Sequence, residues 1–400
     1  MYVDCGTLFT GTDVVADGRI AIEDGRVLES GPQDAVEATG DRLDLAAEVV
    51  TPGFVDAHLH LKGARSMDPM DWVADDTALS AARAVADAER LLDAGFTTVR
   101  DVGSNVAIGV RDAIAAEEVP GPRVFAAGLS ISQTGGHGDL HMLPREWVKD
   151  GAGISELADG EDECRRVARK RARQGADVLK IMTTGGVLSE KDSPTQAQFT
   201  DSEVAAMVEE AHRVGMPVAS HAQGAAGVKR ALENGVDTIE HGFHLDDECL
   251  DLFLEREATF VPTLAIMHRI VTAGADHGVP EHGLQKAREA REAHLDSVER
   301  AIEAGVPIAT GTDFIGPDLV PHGENALELE LLVEEVGLSV ADAIASATTV
   351  AGRTVPDDSV GGLEAGNYAD FLVLGGDPRD DLGALRDVRE VYRKGERVRQ

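Results

Sequence analysis

The sequence lacks any apolar run long enough to cross a bilayer and has only three cysteines among 400 residues. A membrane-spanning helix needs roughly 20 consecutive apolar residues, so we expect no membrane segment. Cys5, Cys164 and Cys249 are odd in number and far apart, which argues against a disulfide framework and against a metal site of closely spaced thiolates. The N-terminus has no basic segment followed by an apolar one, so we predict no signal peptide and a cytoplasmic location.

Positive charge is also scarce, because 37 Lys and Arg residues face 72 Asp and Glu residues, giving a formal net charge of −35. Binding to phosphate requires clustered basic residues, so this composition argues against nucleic acid or an anionic membrane as a partner. Lysine is especially rare, with eight residues against 29 arginines. We interpret the surface as acidic and halophile-like, since salt screens self-repulsion at short distances.

The two chain ends share a pattern of short strands and tight turns. In residues 1–50 the pair Asp24-Gly25 is a hairpin signal between two such strands, and the segment from residue 361 onward returns to the same pattern. We predict that the two ends pair into one small composite β-sandwich, formed by residues 1–52 and 355–400.

Between these ends, short apolar strands alternate with longer amphipathic segments. Eight strands with intervening helices match an α/β fold of the (β/α)8 TIM-barrel type, which we assign to residues 53–354; a doubly wound open sheet is the alternative. A barrel places the carboxyl ends of all its strands on one face. The predicted strands are 54–60, 97–102, 123–127, 177–182, 217–221, 238–241, 259–264 and 307–311. Representative predicted helices are 79–94, 161–174, 201–214 and 224–233.

The first of these strands ends in two histidines, His58 and His60. Because side chains alternate across a strand, both imidazoles point to the same face. Neutral imidazole is a common ligand for divalent metals. A single His-x-His pair is also compatible with ordinary core or surface histidines, so the interpretation depends on what else lies at the strand ends.

Four more polar residues lie in, or just after, later strands. Lys180 lies within an apolar strand, where burial favours a neutral amine; such an amine can react with carbon dioxide to form a metal-bridging carbamate, although pairing with a carboxylate is the simpler alternative. His221 and His241 each end a strand, and Asp313 follows the last one. Taken singly, core histidines and a helix N-cap would explain them. Their shared placement at strand ends favours one common site.

This combination of residues closely resembles the amidohydrolase superfamily, and the resemblance covers nearly the whole chain. Within the superfamily the sequence is most similar to the Xaa-Pro dipeptidase (prolidase) and imidazolonepropionase-related branch. The stretches that carry this similarity are 134–139, 184–189 with 198–199, 220–224, 235–241 and 366–378.

The resemblance implies a centre for two divalent ions. It assigns His58, His60 and Asp313 to one ion and His221 and His241 to the other, with carboxylated Lys180 as the bridge. Zinc is the favoured metal, with manganese or cobalt as substitutes.

The resemblance also implies a reaction, the hydrolysis of an amide C–N bond by attack of a metal-bridging hydroxide. Asp313 would transfer the proton to the leaving nitrogen. His137, in a glycine-rich loop after the third strand, would stabilise the oxyanion. On its own, His137 would be interpreted as a surface loop residue.

One position departs from the related dipeptidases, in which a tyrosine commonly follows the fifth-strand histidine by two residues and contacts the substrate carboxylate. This chain has Gln223 there. Glutamine can donate a hydrogen bond, and Arg65, on the loop after His60, is a candidate cation, although a solvated loop arginine is the simpler interpretation. These residues therefore do not identify the substrate.

We predict a metal-dependent amidohydrolase acting on a small amide such as an Xaa-Pro dipeptide or an N-acyl amino acid. The alternatives are a cyclic-amide hydrolase or deaminase, imidazolonepropionase-like, and a catalytically silent scaffold homologue. Lys180 argues against the deaminase, since mononuclear deaminases of this superfamily usually lack that lysine. Such barrels are often homo-oligomers, but the sequence identifies no interface.

Overall fold

The computed structural model describes residues 1–149 and 153–399, which form a mixed α/β structure. The strands are β1 Tyr2–Phe9, β2 Val14–Glu23, β3 Arg26–Pro32, β4 Arg42–Pro52, β5 Phe54–Leu59, β6 Phe96–Asp101, β7 Arg123–Ala126, β8 Ser130–Ser132, β9 Ser155–Leu157, β10 Leu179–Met182, β11 Val218–Gly224, β12 Thr238–His244, β13 Thr259–Val261, β14 Phe371–Leu374, β15 Val388–Arg393 and β16 Glu396–Arg399.

The helices alternate with the central strands. They are α1 Pro69–Ala74, α2 Thr77–Asp93, α3 Ala107–Ala115, α4 Arg145–Lys149, α5 Glu161–Arg173, α6 Asp201–His212, α7 Ala225–Glu233, α8 Asp247–Arg256, α9 Leu264–Ala273, α10 Glu281–Ala304, α11 Leu327–Glu334 and α12 Val340–Ala345. Short 3₁₀ or π segments occupy Gly274–His277, Ser346–Val350 and Leu382–Leu385. Across the residues that the structure describes, no helix combines the length and apolarity that a membrane crossing requires.

Both chain ends contribute to one seven-stranded sheet with the order β16-β15-β14-β4-β1-β2-β3. Strand β4 lies at its centre and pairs in parallel with β1 and antiparallel with β14, which confirms that the termini pair. The hairpin at Asp24-Gly25 is present, and φ values of 50° and 75° give both residues the positive φ that a tight hairpin turn of this kind requires. The predicted sandwich is realised as one continuous hydrogen-bonded sheet.

The outer hairpins of this sheet approach each other. The Gly395 amide, at the tip of the β15–β16 hairpin, donates to the Ala369 carbonyl, and the Ala369 amide donates to the Gly25 carbonyl. The sheet therefore bends round a core of its own, in which Phe371 and Tyr392 stack at 4.3 Å between ring centroids.

The central strands form two parallel sheets, β5-β6-β7 and β13-β12-β11-β10-β8-β9. Backbone contacts connect these sheets on both sides. The Asp177 amide, just before β10, donates to the carbonyl of Ala126 in β7. On the other side, residues 308–314 form parallel bridges to β13 and β5, through Phe260–Ile308 and Leu59–Phe314.

Three predicted details differ from the structure. The strand expected at 259–264 ends at Val261, and helix α9 begins at Leu264. The strand expected at 307–311 is reduced to isolated bridges at Ile308 and Phe314, although its backbone still bonds to Ala57 and Phe260 in the neighbouring strands. The three-residue strands β8 and β9 were not predicted, since so short a segment carries almost no periodicity. These two strands extend the parallel sheet beneath the loop that carries His137.

Candidate metal centre

The side chains predicted as metal ligands converge at the carboxyl ends of the parallel strands. Four of them lie within β5, β10, β11 and β12, and the other two follow β5 and the bridge at residue 308. All six line one cavity of about 100 Å³, here called the inner cavity, and they are His58, His60, Lys180, His221, His241 and Asp313. The structure therefore brings together residues separated by more than half of the chain; they are called the metal centre below.

Three of these residues form a compact group of ligand atoms. One ligand atom each from His58, His60 and Asp313 lies within 4.8 Å of the other two. The carboxylate Oδ1 of Asp313 is 3.1 Å from Nε2 of His60 and 3.4 Å from Nε2 of His58. Burial raises the pKa of Asp313, but the neighbouring rings of His58, His60 and His241 outweigh it and hold that pKa well below 3.8. The group offers two imidazoles and an ionised carboxylate, a donor set that suits zinc.

The other two histidines lie beside this group. The rings of His221 and His241 are 4.6 Å apart between centroids, and His241 is 5.0 Å from His58. Burial lowers the pKa of both His221 and His241 well below 6.5. Neutral imidazole is the form that binds a metal.

Each of the four histidines has one ring nitrogen hydrogen-bonded to an oxygen of the protein. This contact fixes the ring and leaves its second nitrogen available as a ligand. The contacts are His58 Nδ1 to Glu240 Oε2 at 2.6 Å, His60 Nδ1 to Gly103 O at 3.2 Å, His221 Nε2 to Gly185 O at 3.1 Å and His241 Nδ1 to Thr263 Oγ1 at 2.8 Å.

Glu240 and Arg100 form a buried pair behind His58 that sequence reasoning missed. Both side chains are fully buried, and Arg100 Nη2 donates to Glu240 Oε1 at 2.8 Å while the other oxygen contacts His58. Burial alone would raise the pKa of Glu240, but Arg100, Lys180 and His58 lower it below 4.5. An ionised Glu240 therefore fixes which nitrogen of His58 carries the proton. The signal available in the sequence was an arginine inside the apolar strand β6.

Lys180 is buried at 3% exposure, and within residues 1–149 and 153–399 its Nζ has no hydrogen-bond partner. Burial lowers its pKa to about 8, although Glu240 and Asp313 oppose this shift. Leaving a buried amine unpaired is costly. Conversion to a carbamate between two metal ions would remove that cost and would give His221 and His241 the carboxylate oxygen that they lack. The side chains of this chain therefore fit the group that the resemblance implies.

Two of the ligands have strained backbone conformations. His241 has φ of +76° and Asp313 has φ of +57°, a region that non-glycine residues rarely adopt. Such strain persists where the surrounding structure enforces it, and it is concentrated at functional sites. No helix begins at Asp313, and the next one, α11, starts at Leu327, so the N-cap alternative does not apply.

His137 reaches the metal centre from the loop after β8. Its ring stacks on His221 at 4.1 Å between centroids and 16° between planes, and its Nδ1 is 3.1 Å from Ser189 Oγ. Gly186 lies against the ring, where a Cβ would approach His137 Cε1 to 2.2 Å. Gly186, in the loop after β10, therefore leaves room for the His137 ring. Burial lowers the pKa of His137 below 6.5.

The two candidate substrate residues have different surroundings. Gln223 is buried beside His137, His221 and His241, with its Oε1 lacking a partner among the residues that the structure describes. Arg65 instead donates to both oxygens of Asp87 at 2.9 Å. It does not line the inner cavity. The structure thus brings Gln223 to the centre and holds Arg65 away from it.

Lys62, which sequence reasoning overlooked, lines the inner cavity with the six predicted ligands. It is 4% exposed, and its Nζ donates to the Gly153 carbonyl at 3.2 Å. Burial lowers its pKa to about 8. The signal was present in the sequence, because Lys62 continues the alternation that places His58 and His60 on one side of the chain.

The inner cavity opens into a larger, mainly apolar cavity of about 160 Å³, here called the vestibule. Both cavities share the same boundary residues, Met67, Trp72, His137, Ile154 and Leu188. Trp72 donates from its indole nitrogen to the Ser66 carbonyl at 2.7 Å, which fixes the ring at this boundary. A substrate reaching the centre by this route passes apolar side chains.

The fold and the six side chains at the strand ends define a class of hydrolase, and comparison with known proteins identifies its family. The sequence profile of the Amidohydrolase family matches residues 49–398, so the chain belongs to this family. It is a hydrolase of carbon–nitrogen bonds, and the predicted superfamily and branch are confirmed.

The chain is similar to several individual members of this family. Ochratoxinase of Aspergillus niger is 34% identical over 362 residues, covering 86% of this chain and 73% of that protein. Its crystal structure superposes with a TM-score of 0.91 at 30% identity, covering 100% of this chain and 95% of the other. A Xaa-Pro dipeptidase with bound methionine gives a TM-score of 0.87 at 33% identity, covering 100% and 99%. Imidazolonepropionase of Rhizorhabdus wittichii is 27% identical over 399 residues, covering 91% and 89%.

Proposed function

We propose that the protein hydrolyses the amide bond of a small molecule that carries a bulky apolar group, such as an N-acyl amino acid or an Xaa-Pro dipeptide, at a centre for two metal ions. The observation that carries this proposal is the inner cavity, where the six side chains proposed as ligands meet from five strand ends. Ochratoxinase and the Xaa-Pro dipeptidase support an amide or peptide substrate by similarity.

We further propose that the parallel strands close into a (β/α)8 barrel over residues 53–354, with residues 1–52 and 355–400 as the appended β unit. The backbone contacts from Asp177 to Ala126 and the bridges from residues 308 and 314 support closure, because they link the two parallel sheets at both edges. Closure would place every ligand on the carboxyl face, where barrel enzymes have their active sites.

In this proposal His58, His60 and Asp313 hold one divalent ion and His221 and His241 hold the other, with a carbamate on Lys180 between them. When bound, such ions, zinc by preference and manganese or cobalt as alternatives, would activate water and polarise the amide carbonyl. The neighbouring Glu240 keeps Nε2 of His58 free of a proton by accepting the proton of Nδ1.

Asp313 would transfer a proton during the reaction, and His137 would stabilise the oxyanion. Asp313 is ionised and lies against His58 and His60, so one of its oxygens can accept a proton from water and deliver it to the leaving nitrogen. His137 lines the same cavity and can donate from Nε2 to the developing oxyanion. That role requires a proton on Nε2, so Nδ1 must accept from the Ser189 hydroxyl, which in this structure donates to Asp192.

The vestibule supports a substrate with a bulky apolar group. Burial of apolar area contributes roughly 25 cal/mol per Å², so an aromatic or branched side chain there would add affinity that a small polar ring could not. This favours linear amides over the small cyclic amides of the imidazolonepropionase-like alternative.

Two measurements test this function together. Protein purified without chelator should contain about two divalent ions per chain by elemental analysis, as the two-ion site of the proposal requires. In a panel of N-acyl amino acids, Xaa-Pro dipeptides and lactams, we expect turnover of the linear amides with a preference for large apolar groups. A metal content near zero, or turnover of lactams alone, would reject the proposal.

A further inference from the structure

Lys62 is placed to contact a bound substrate directly. His58, His60 and Lys62 all line the inner cavity, while Leu59 and Leu61 between them are buried in the apolar core, so the alternation of β5 continues to Lys62. Lys62 therefore reaches the inner cavity from the same edge as the first pair of metal ligands.

The described residues around Lys62 leave part of the hydrogen-bonding capacity of its ammonium group unused. An ammonium has three N–H donors, and within residues 1–149 and 153–399 its one hydrogen bond goes to the Gly153 carbonyl. The nearby carboxylate of Asp101 accepts from the amides of Leu61 and Gly103 at 2.6 and 3.1 Å, and it forms no salt bridge with Lys62. Lysine is almost never this buried unless it is paired.

The other two candidate substrate residues do not offer a free positive charge. Arg65 forms an ion pair with Asp87, and Gln223 carries no charge. Among the described residues that line the inner cavity, Lys62 and Lys180 are the basic ones apart from histidine. Because Lys180 is assigned to the metal ions in the proposed function, Lys62 is the cation left for the substrate.

We propose that Lys62 is a substrate-binding residue that pairs with a free carboxylate on the substrate. The substrate class would then be amides that carry a carboxylate near the scissile bond, with the apolar group in the vestibule. This inference rests on the proposed function for the position of the scissile bond. A charge-assisted contact of this kind would take the place of a contact from residue 223, where a neutral glutamine is present.

The test compares two substrates that differ only in charge, an N-acyl-phenylalanine and its carboxamide, on wild-type protein and on Lys62→Met. Methionine retains the length of the chain and suits a buried site, so the variant should fold; its Tm and metal content serve as checks. Lys191→Met is the matched control, because Lys191 is an exposed lysine on the loop beside the vestibule.

We expect the wild-type protein to prefer the carboxylate in kcat/KM by roughly 10-fold or more. Lys62→Met should lower kcat/KM for the carboxylate by roughly 10- to 100-fold and leave the carboxamide within about 3-fold. Lys191→Met should change neither value by more than about 2-fold. Equal losses for both substrates in Lys62→Met, or no wild-type preference, would overturn the inference.

Calorimetric binding to metal-free protein separates this inference from the proposed function. If the wild-type protein hydrolyses neither compound, the proposed function fails, yet Lys62 can still be judged by binding. Tighter binding of the carboxylate than of the carboxamide, lost in Lys62→Met, supports a carboxylate site at Lys62. Equal binding of the two compounds by wild-type protein overturns it.

Discussion

The terminal sheet and the metal centre bury charge in opposite ways. In the sheet, Asp4 is 3% exposed, and its two oxygens contact Arg19 and Arg42 at 2.6 and 2.8 Å. At the centre, Lys180 is also 3% exposed, yet its Nζ has no partner within the described parts of the chain. A buried charged side chain that is paired within the protein, such as Asp4, stabilises the fold. A buried ionisable side chain without a partner, such as Lys180, indicates a binding site for a group from outside the chain.

Lys180→Ala should have the largest effect, because it removes the proposed bridge between the two metal ions. We expect metal content to fall and kcat/KM to drop by at least roughly 10³-fold, while Tm, measured on metal-free protein, stays near the wild-type value. Added acetate should restore part of the activity if it occupies the space of the carbamate. Lys191→Ala is the control. Unchanged turnover in Lys180→Ala would remove the carbamate from the account.

Asp313→Asn keeps the shape of the side chain and removes its ability to accept a proton. We expect most of the metal to be retained and kcat to fall roughly 10²- to 10⁴-fold, the range of general acid–base catalysis. Elemental analysis and steady-state kinetics on the same preparation check both parts. Full activity would reject the proton-transfer role, and loss of all metal would assign Asp313 to binding alone.

Asp4→Asn tests the other region, where the effect should fall on stability and leave turnover intact. We expect the free energy of unfolding to drop by about 2 kcal/mol, since the contacts of the buried Asp4 carboxylate with Arg19 and with the half-exposed Arg42 are both weakened. Denaturant unfolding measures the loss, and kcat should stay within about 2-fold of wild type. A drop in kcat with unchanged stability would contradict the division between the two regions.

The stability difference between wild type and Asp4→Asn should depend on pH, and the pKa shift of Asp4 gives the direction of this dependence. Burial raises the pKa of Asp4, but Arg19 and Arg42 together lower it below 3.8. A carboxyl whose folded-state pKa is lowered adds stability above its unfolded-state value and loses it as the pH falls through the folded-state value. The stability gap between wild type and Asp4→Asn should thus be constant near neutral pH and narrow below pH 3.8. A gap that widens there would contradict the pairing.

Salt should produce the smallest effect and act on the fold as a whole. With a formal net charge of −35, the acidic side chains repel one another, and dissolved ions screen this repulsion. We expect Tm to rise by about 5 °C between low and molar KCl, with the same rise in Lys180→Ala. No rise would argue against the halophile-like interpretation of the surface.

The sequence was most informative where a local rule decides the geometry. Alternation along β5 places His58 and His60 together, and strand ends locate His221 and His241 without knowledge of the packing. Lys62 follows from the same alternation and was overlooked because lysine is usually a surface residue. The hairpin at Asp24-Gly25 is a further local feature, and it is present as predicted.

Features that depend on distant packing could not be read from the sequence. Arg100 and Glu240 pair across strands that are 140 residues apart in sequence. The hydrophobic pattern of either strand does not predict this pairing. The ion pair of Arg65 could not be predicted, because its partner Asp87 is a buried carboxylate on α2 that the sequence around Arg65 does not reveal. His137 was assigned by resemblance alone, since its position depends on stacking against His221.

Anomalous diffraction at the metal absorption edge, from crystals of protein purified without chelator, tests the central claim most directly. The account predicts two peaks in the inner cavity, one within about 2.3 Å of ligand atoms from His58, His60 and Asp313 and one equally close to His221 and His241. Continuous density should connect Lys180 to both. Peaks elsewhere, or a bare Lys180 directed away from the histidines, would contradict it.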